Sequence, residues 1–598
     1  MSGHERNDVT ERLRALAKRQ PELPALLAPH RDAMTFASLA RHTERIAACL
    51  VSWGIGRGDV IAWANDDRAT TAGALAMLPA SATIAPLSPQ ATVAAMRDTL
   101  ERIGPKAVVV ASHGDSPVAR AAASLDLATM QADASPYTEA GAFDLVLATP
   151  TASLDRPRRH PDAWACIGAT SGSTGKPKLV SHGHRQVLRT AFATAERLAM
   201  GPGDISGHIT PLHLAGGIRN AYFQSLANGG AVNCLPEASV DAFLHAIAEG
   251  TVTFTSASFT ILRELLARLE GGCRYEKGRL RFVRVASGRL EPDEMDRLEA
   301  LLGVPVITGL ASSETGSAAQ QGLEQPRKRG SVGRALASEI RIVGANGVVV
   351  VPGGVGEIQV RGPQVFDGYL DDDALNAMSF ADGWFRMGDL GRFDEDGELC
   401  IVGRLKDVIN RGGEKISPFE IDAVLASLPG VVEAAAFGIP HPRLGEEVVA
   451  AVVVAPGVDP DAEALLEALR ARLGARRAPR RLWYVASLPR TATGKLRRAA
   501  LPDWVGYVPA AEVAVSVAPP ADSPLETALA ALWAHALSRP VVAHDVPFDA
   551  QGGDDARAAR LVAQVGEVFG VEVPVAALRH DTSTVATMAR WIVRHRGA

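Results

Sequence analysis

Cysteine is scarce and scattered in this chain of 598 residues, which holds only Cys49, Cys166, Cys234, Cys273 and Cys400. Their number is odd, and no spacing between them matches a metal-binding pattern. Secreted proteins that depend on disulfides carry dense, paired cysteines. The sequence therefore argues against a disulfide framework and predicts reduced thiols and a cytoplasmic location.

Long apolar runs and a strong excess of one charge are also missing. No run approaches the roughly 18 residues that a membrane-spanning helix needs. Residues 1–22 form a charged segment, expected to be helical, without the apolar stretch of a signal peptide. The formal net charge is −5, and no basic cluster is dense. We therefore expect no membrane span and no nucleic-acid partner.

The length and the apolar pattern predict an α/β multidomain protein. A chain of this size exceeds one ordinary hydrophobic core. From residue 34 to residue 400, short runs such as Ala107–Ala111, Val252–Thr255 and Glu357–Val360 alternate with helical stretches, which is typical of α/β folds. We predict one large N-terminal domain over residues 1–402.

Three smaller segments follow. Residues 403–505 carry two strand-like runs, Val432–Gly438 and Val448–Val454, before a helix from about Asp461, so a small α+β domain is predicted. Residues 506–522 are rich in Ala, Val and Pro and indicate a linker. Residues 523–598 open with a capping box at Ser523–Glu526 that places proline at the first helical position. They are predicted to form a separate helical domain.

The strongest local pattern is TSGSTGKPK at residues 170–178. Hydroxyl groups and backbone N–H groups exposed by glycines can surround a polyphosphate, and lysines add positive charge. Composition alone also fits a flexible surface loop. The segment resembles the phosphate-binding signature of the adenylate-forming superfamily, which includes acyl-CoA synthetases, luciferases and peptide-synthetase adenylation domains. That resemblance implies ATP contacts from Thr170, Ser171, Gly172, Ser173, Thr174, Gly175 and Lys178, with Thr174 also catalytic.

Further segments resemble signatures of the same superfamily, in the same order. They are Ala286–Arg289 (ASGR), Ser313–Glu314, Trp384–Asp389 (WFRMGD), Gly403–Asp407 (GRLKD), Gly412–Pro418 (GGEKISP) and Pro489–Lys495 (PRTATGK). Each alone also fits an ordinary loop cap or surface charge. Their order makes coincidence an inadequate explanation, and the resemblance extends over residues 34–501.

The resemblance implies a role for each segment. It assigns ATP contacts to Ser287, Gly288, Arg289, Ser313, Asp389 and Arg404, with Asp389 on the ribose. It makes Glu314 the Mg²⁺ ligand, since a carboxylate suits a hard cation, and Lys495 the bridge between the acid and the phosphate. It also implies a small C-terminal domain that rotates about a hinge at Lys406.

A channel for the accepting thiol is implied as well. Gly412, Gly413 and Glu414 would line it, because glycines allow close backbone approach. His213, in the segment Pro211–Gly217, corresponds to a gate or pocket histidine shifted by one position. A histidine buried in the core is the alternative interpretation.

Two departures from the superfamily pattern stand out. Leu310 and Ala311 occupy positions where an aromatic residue that stacks on adenine and a glycine are usual, although leucine can still pack against a base face. The C-terminal domain resembles a four-helix acyl or peptidyl carrier, but Asp555 follows Gly-Gly-Asp where the carrier serine is expected. Aspartate cannot accept phosphopantetheine as a phosphodiester, although an acid at a helix start is favourable.

The predicted function is ATP- and Mg²⁺-dependent activation of a carboxylic acid to an acyl-adenylate, followed by transfer to a thiol. An α-amino acid is not expected, because only Asp204 lies near the histidine segment to pair an ammonium group. Arg219, Asn220 or Arg289 could pair a second carboxylate, or could be structural. The acceptor is CoA or phosphopantetheine on a separate carrier, with none on this chain. The alternatives are a catalytically impaired nucleotide-binding or interaction protein and a self-loading synthetase module.

Overall fold

The computed structural model describes residues 7–110, 116–135, 137–149, 154, 160–161, 164–170, 177–286, 288–455, 457–458, 461–491, 494–507, 524–537, 539, 541–571, 573–575, 578 and 583–595. The chain divides into two compact units, Met1–Val505 and Gly506–Ala598. The first unit contains an N-terminal body, meaning the elements up to Arg404, and a C-terminal lobe, meaning the elements from Ile409 to Trp504.

Two seven-stranded sheets form the centre of the N-terminal body. Their strands are β1 (Pro24–Leu27), β2 (Met34–Thr35), β3 (Val60–Ala64), β4 (Thr83–Pro86), β5 (Ala107–Val110), β6 (Ala128–Asp133), β7 (Asp144–Leu147), β8 (Trp164–Ala169), β9 (Leu179–Gly183), β10 (Ile205–Gly207), β11 (Ala231–Asn233), β12 (Phe254–Ser258), β13 (Phe282–Ala286) and β14 (Val306–Ile307).

Helices connect and cover these strands. They are α1 (Val9–Arg19), α2 (Phe36–Ser52), α3 (Arg68–Met77), α4 (Val93–Ile103), α5 (Pro117–Ser124), α6 (His184–Arg197), α7 (Ala215–Gly217), α8 (Phe223–Leu226), α9 (Val240–Ala248), α10 (Phe259–Glu270) and α11 (Pro292–Leu302). A π-helical turn, Ile218–Tyr222, joins α7 to α8.

Most neighbouring strands in these two sheets are parallel. The sheet orders are β14-β13-β12-β10-β11-β1-β2 and β7-β6-β5-β3-β4-β8-β9. Strands β3 and β5 are buried along their whole length, as expected for parallel strands covered on both faces. The α/β prediction is confirmed, although β12 begins two residues later than the run at Val252–Thr255 suggested.

Two smaller sheets complete the N-terminal body. Their strands are β15 (Gly309–Ser312), β16 (Gly316–Gln320), β17 (Arg334–Ala335), β18 (Glu339–Val343), β19 (Gly356–Arg361), β20 (Phe380–Ala381), β21 (Trp384–Phe393) and β22 (Leu399–Arg404), with helix α12 (Asp373–Ser379) between β19 and β20. Strands β21 and β22 are antiparallel, and their register places Asp389 opposite Arg404.

The C-terminal lobe is the predicted small α+β fold. It consists of β23 (Ile409–Arg411), β24 (Glu414–Ile416), α13 (Pro418–Ala426), β25 (Val431–His441), β26 (Gly445–Val454), α14 (Ala462–Leu473), β27 (Leu482–Tyr484) and α15 (Leu501–Trp504). The Asp461 side chain caps α14 by accepting from the N–H of Glu463 at 2.9 Å. The buried side chains of Leu465, Leu466 and Leu469 join this helix to the lobe's core.

The second unit is helical, as predicted. Its described helices are α16 (Pro524–Ala536), α17 (Asp555–Phe569) and α18 (Val585–His595). Leu529, Trp533, Leu561 and Ile592 are fully buried between them. Ser523 of the predicted capping box lies outside the described residues.

Two findings apply to the part of the chain that the structure describes. None of its helices combines the length and the apolar character that crossing a bilayer requires. Nor does it group three or more His, Cys, Asp or Glu side chains as a metal site.

Candidate active site

The predicted phosphate loop connects the antiparallel strands β8 and β9, with Thr170 directly after β8 and Lys178 directly before β9. Thr170, just after β8, donates its N–H to the carbonyl of Lys178 at 2.9 Å. The Lys178 ammonium lies 4.6 Å from the centre of the Tyr369 ring, a cation–π contact. The predicted residues Ser171, Gly172, Ser173, Thr174 and Gly175 lie outside the described residues, so their ATP contacts stay predictions.

Glu314 lies in a tight turn between β15 and β16. The hydroxyl oxygen of Ser312 accepts from the backbone N–H of Glu314 at 3.2 Å and from that of Thr315 at 3.0 Å. The Tyr369 hydroxyl donates to the Glu314 carboxylate at 2.7 Å. Burial raises the pKa of Tyr369, and the Glu314 charge raises it further, so the phenol stays protonated and donating. No local sequence pattern distinguishes Tyr369, whose contact with Glu314 depends on the fold.

Asp389 and Arg404 form an ion pair across the β21–β22 hairpin. The Arg404 Nε lies 3.0 Å from a carboxylate oxygen of Asp389. Burial raises the pKa of Asp389, and the neighbouring Arg404 opposes that rise. The register of the hairpin therefore delivers both predicted nucleotide-binding residues to one place.

Lys495 reaches the same place from the C-terminal lobe. It ends a turn whose described residues, Thr491, Gly494 and Lys495, we call the lysine turn, while residues 492–493 lie outside the described residues. The N–H of Thr491 donates to the Lys495 carbonyl at 2.8 Å, and the N–H of Lys495 donates to the Thr491 hydroxyl at 3.1 Å. Burial lowers the pKa of Lys495, and Arg404 lowers it further, while the Glu314 and Asp389 charges raise it. The structure thus brings Lys495 together with the predicted site residues Glu314, Asp389 and Arg404.

The predicted hinge residue, Lys406, lies in a short 3-10 turn, Leu405–Asp407, between the two parts of the first unit. Burial lowers the pKa of Lys406, and the nearby charges of Arg404 and Lys178 add to this effect. Lys406 therefore lies close to Arg404 and Lys178, and its role as a hinge stays a prediction.

The predicted adenine-binding segment packs against α10. A side chain at Gly288 would place its Cβ 2.3 Å from the Phe259 ring, so the close packing requires glycine here. Arg289 is half exposed and lies 3.5 Å from Glu291. Ser287 lies outside the described residues.

Leu310 lies in the core of the smaller sheets. It is only 6 % exposed and packs with Ile342 and Ile358. The β15–β16 pairing is irregular next to it, since Leu310 lies opposite Ala319 and Ala311 opposite Ser317, which leaves Ala318 as an extra residue of β16. A contact of Leu310 with the base stays a prediction.

His213 lies in the turn before α7. Burial lowers its pKa to about 4, and Arg68 contributes to the decrease, so the imidazole is neutral near pH 7. The glycines Gly412 and Gly413 form the tip of the β23–β24 hairpin with φ angles of +61° and +88°. Glu414 accepts from Arg477 at 3.1 Å. The roles of His213 and this hairpin in a thiol channel stay predictions.

Arg219 is enclosed in protein. It is 0 % exposed and donates to the hydroxyl of Thr190 at 3.2 Å and to the carbonyls of Ser313 at 3.3 Å, Gln186 at 3.4 Å and Gln364. Burial lowers its pKa to about 10, which leaves it charged at neutral pH. Its guanidinium therefore supports the backbone just before Glu314, which fits the structural alternative for Arg219 and not a contact with a second substrate carboxylate.

Comparison with known proteins identifies the family. A sequence model described as AMP-binding enzyme matches residues 13–370, more than half of the chain. The chain belongs to the AMP-binding enzyme family. The C-terminal domain of the AMP-binding enzymes matches residues 420–495, and a phosphopantetheine attachment site domain matches residues 527–592.

Individual relatives agree with this assignment. An oxalate–CoA ligase of Arabidopsis thaliana is 34 % identical over 499 residues, covering 81 % of this chain and 96 % of the relative. A sulfoacetate–CoA ligase of Cupriavidus necator is 31 % identical, covering 83 % and 99 %. The O-succinylbenzoate CoA synthetase of Bacillus subtilis, solved with ATP and magnesium, is 27 % identical with a TM-score of 0.69, covering 82 % and 99 %. The resemblance expected from the motifs, and with it the class of AMP-forming acid–thiol ligase, is confirmed.

The contacts of Arg219 generate a prediction for this AMP-binding enzyme. In Arg219→Lys, a single ammonium group cannot donate to all four oxygens that the guanidinium contacts. The turn that carries Glu314 then loses the hydrogen bond to the Ser313 carbonyl. If Glu314 is the metal ligand, we expect binding of ATP with Mg²⁺ to weaken about tenfold, roughly 1.4 kcal/mol. Binding of ATP without a divalent cation should change little. Isothermal titration calorimetry under both conditions measures the difference.

Arg284 provides a matched control. It is also buried, at 3 % exposure, burial also lowers its pKa to about 10, and it donates to Gln224 at 3.2 Å and Ser317 at 2.8 Å. Arg284→Lys should reduce stability without a Mg²⁺-specific loss. An equal loss with and without Mg²⁺ in Arg219→Lys would refute the positioning role.

Proposed function

We propose that this enzyme joins a small acid carrying a second anionic group to CoA through an acyl-adenylate. The observation that carries the proposal is the convergence of Lys495, Glu314, Asp389 and Arg404 in one partly desolvated cluster. A protein that only bound nucleotide would not need to bury a lysine from a second lobe beside the other three.

The first step is attack of a carboxylate oxygen on the α-phosphorus of ATP. An oxygen–phosphorus bond forms, the bond from the α-phosphorus to the bridging oxygen breaks, and pyrophosphate leaves with the electron pair. Negative charge accumulates on the phosphate oxygens, where the Lys495 ammonium stabilises it electrostatically. Asp389, oriented by Arg404, would accept hydrogen bonds from the ribose hydroxyls.

The residues present fit a Mg²⁺ ion. Glu314 offers hard carboxylate oxygen, one atom of which is oriented by Tyr369, and Mg²⁺ in proteins often takes one or two carboxylates together with substrate phosphates. When bound, the ion would neutralise phosphate charge. The chain's own part is to hold the Glu314 carboxylate in place through Ser312, Tyr369 and Arg219.

In the second step a thiolate attacks the acyl carbonyl, the carbon–sulfur bond forms, and AMP leaves as the carbon–oxygen bond breaks. The names of the oxalate–CoA and sulfoacetate–CoA ligases support CoA as the acceptor. They also support an acid with a second anionic group, as does the O-succinylbenzoate CoA synthetase.

An α-amino acid substrate is disfavoured by the surroundings of Asp204. This carboxylate is 4 % exposed, forms an ion pair with Arg281 and accepts from the N–H of Gly201 at 2.8 Å. The Asp204 carboxylate thus binds groups inside the protein and is not positioned to pair with a substrate ammonium group.

ATP–pyrophosphate exchange across a panel of acids tests the proposal. We expect exchange with small dicarboxylic or sulfonated acids, weak exchange with fatty and aryl acids, and none with α-amino acids. Thioester formation with free CoA should then follow for the same acid. Absence of exchange with every acid, despite measurable ATP binding, would favour the impaired nucleotide-binding protein, and exchange with an amino acid would overturn the substrate class.

The pH dependence of the first step follows from the position of Lys495. Its ammonium is charged below its pKa, and that pKa is lowered by burial and Arg404. We therefore expect exchange to decline, as pH rises, through a pKa below the ordinary 10.5. In Lys495→Arg the guanidinium stays charged, so the residual exchange should lose this alkaline decline. A decline at the same pH in both proteins would contradict the assignment of the titrating group.

We also propose that the second unit is a carrier-like domain that is not loaded with phosphopantetheine. Asp554 caps α17 by accepting from the N–H of Arg557 at 2.8 Å, and exposed Asp555 is the first residue of the helix. The acid suits the helix N-terminus, so the replacement does not compromise folding. This arrangement disfavours a self-loading module and leaves transfer to an external thiol.

Treatment with CoA and a phosphopantetheinyl transferase tests this point. The native chain should keep its mass, whereas Asp555→Ser should gain one phosphopantetheine group by mass spectrometry. Asp549→Ser, which changes an exposed acid elsewhere in the same domain, should remain unmodified. Modification of the native chain would refute the proposal.

A further inference from the structure

Five side chains meet across the boundary between the N-terminal body and the C-terminal lobe. Phe259 and Arg263 lie on α10 and Glu294 lies on α11, whereas Glu433 lies on β25 and Arg490 directly precedes the lysine turn. We call these five residues the interlobe cluster. They lie outside the set of residues that the sequence motifs assign to ATP.

Ion pairs in the interlobe cluster connect the two parts. Arg263 donates to both carboxylate oxygens of Glu294, at 2.7 and 3.2 Å, and to one oxygen of Glu433 at 3.3 Å. Arg490 donates to that same oxygen of Glu433 at 2.8 Å. This one oxygen of Glu433 therefore accepts from Arg263 of the N-terminal body and from Arg490 of the C-terminal lobe. The side chains are only 16–31 % exposed, so solvent screens these pairs less than surface pairs.

The Phe259 ring lies between the two arginines. The Arg263 and Arg490 guanidinium carbons are 5.5 and 5.4 Å from the ring centre, within the range of cation–π contacts. Two like charges near one ring repel each other unless an anion lies between them, and Glu433 supplies it. Burial alone would lower the pKa of Arg263, but the Glu294 and Glu433 carboxylates outweigh it and raise that pKa.

The same cluster fixes the lysine turn. Arg490 donates to the carbonyl of Gly494, the residue before Lys495, at 2.8 Å. Gly494 has φ of +80°, and a Cβ there would lie 2.5 Å from the hydroxyl of Thr260 in the first turn of α10. The backbone of the turn is therefore held by an arginine of its own lobe and packed against the opposite part.

We propose that the interlobe cluster holds the C-terminal lobe in the orientation that forms the adenylate, with Glu433 as the central positioning residue. This inference rests on the proposed function. The cluster acts through the lysine turn and the Gly288 segment, which packs on Phe259. Rotation of the lobe about the Leu405–Asp407 turn separates Glu433 and Arg490 from α10, so the cluster supports the first half-reaction and not the second.

The variant Glu433→Gln tests the proposal because it keeps the shape of the side chain and removes its charge. We expect kcat for ATP–pyrophosphate exchange to fall about tenfold. Formation of thioester from supplied acyl-adenylate and CoA should stay within about twofold of the wild type. Equal losses in both half-reactions, or unchanged exchange, would overturn the proposal.

Two further variants separate positioning from general stability. Arg268 lies on the same helix as Arg263, but it pairs with Asp241 at 2.9 Å within the N-terminal body. Arg268→Gln should therefore leave both half-reactions unchanged. The double variant Arg263→Gln/Glu433→Gln should lose less exchange than the sum of the two single losses, because both substitutions break the shared Arg263–Glu433 contact. Fully additive losses would show that the two residues act independently.

A measurement without catalysis keeps the inference distinct from the proposed function. Fluorescence energy transfer between one label on the N-terminal body and one on the C-terminal lobe reports the separation of the two parts. We expect Glu433→Gln to lower the transfer efficiency and Arg268→Gln to leave it unchanged. If the wild type shows no exchange with any acid, the proposed function fails, and an unchanged transfer efficiency in Glu433→Gln would still refute the interlobe cluster.

Discussion

The candidate active site depends on one ammonium group that is held away from bulk water. Lys495 is desolvated between two parts of the first unit, beside Arg404 and opposite two carboxylates. Desolvation disfavours its charge, and a buried charge is stable only with close partners of opposite sign. Because Glu314 and Asp389 lie in the N-terminal body, this balance exists only while the C-terminal lobe lies against it.

Side chains outside this group of charges give the charges their positions. Tyr369 and Ser312 orient the turn that carries Glu314, and Arg219 supports the residue before it. Phe259 supports both the Gly288 segment and Arg490. The precision of the site therefore depends on packing between elements that are far apart in the sequence, as preorganised electrostatic stabilisation requires.

The sequence predicted the fold class and the charged residues because both leave local patterns. Buried parallel strands produce short apolar runs, and Glu314, Asp389, Arg404 and Lys495 each lie in a recognisable segment. Tyr369 and Arg219 leave no such pattern, since their partners lie many residues away: 55 for the contact with Glu314 and 94 for that with Ser313. Their roles appear only once the chain is folded.

Leu310 shows a different limit of sequence analysis. Side chains alternate between the two faces of a strand, so the position of Leu310 in β15 decides which face it occupies. Its side chain packs with Ile342 and Ile358, which belong to other strands. The segment alone does not identify these partners.

The hairpin of β21 and β22 has a consequence for the order of product release. Arg404 is the last residue of β22, it lies opposite Asp389, and the Leu405–Asp407 turn follows directly. The sheet constrains the backbone at Arg404, so the proposed rotation of the lobe would have to occur in the turn that follows. On the proposed chemistry, the lobe can rotate and present a different face to the site while AMP stays bound at the hairpin. Pyrophosphate would then leave before the lobe rotates, and AMP would leave only after the thioester has formed.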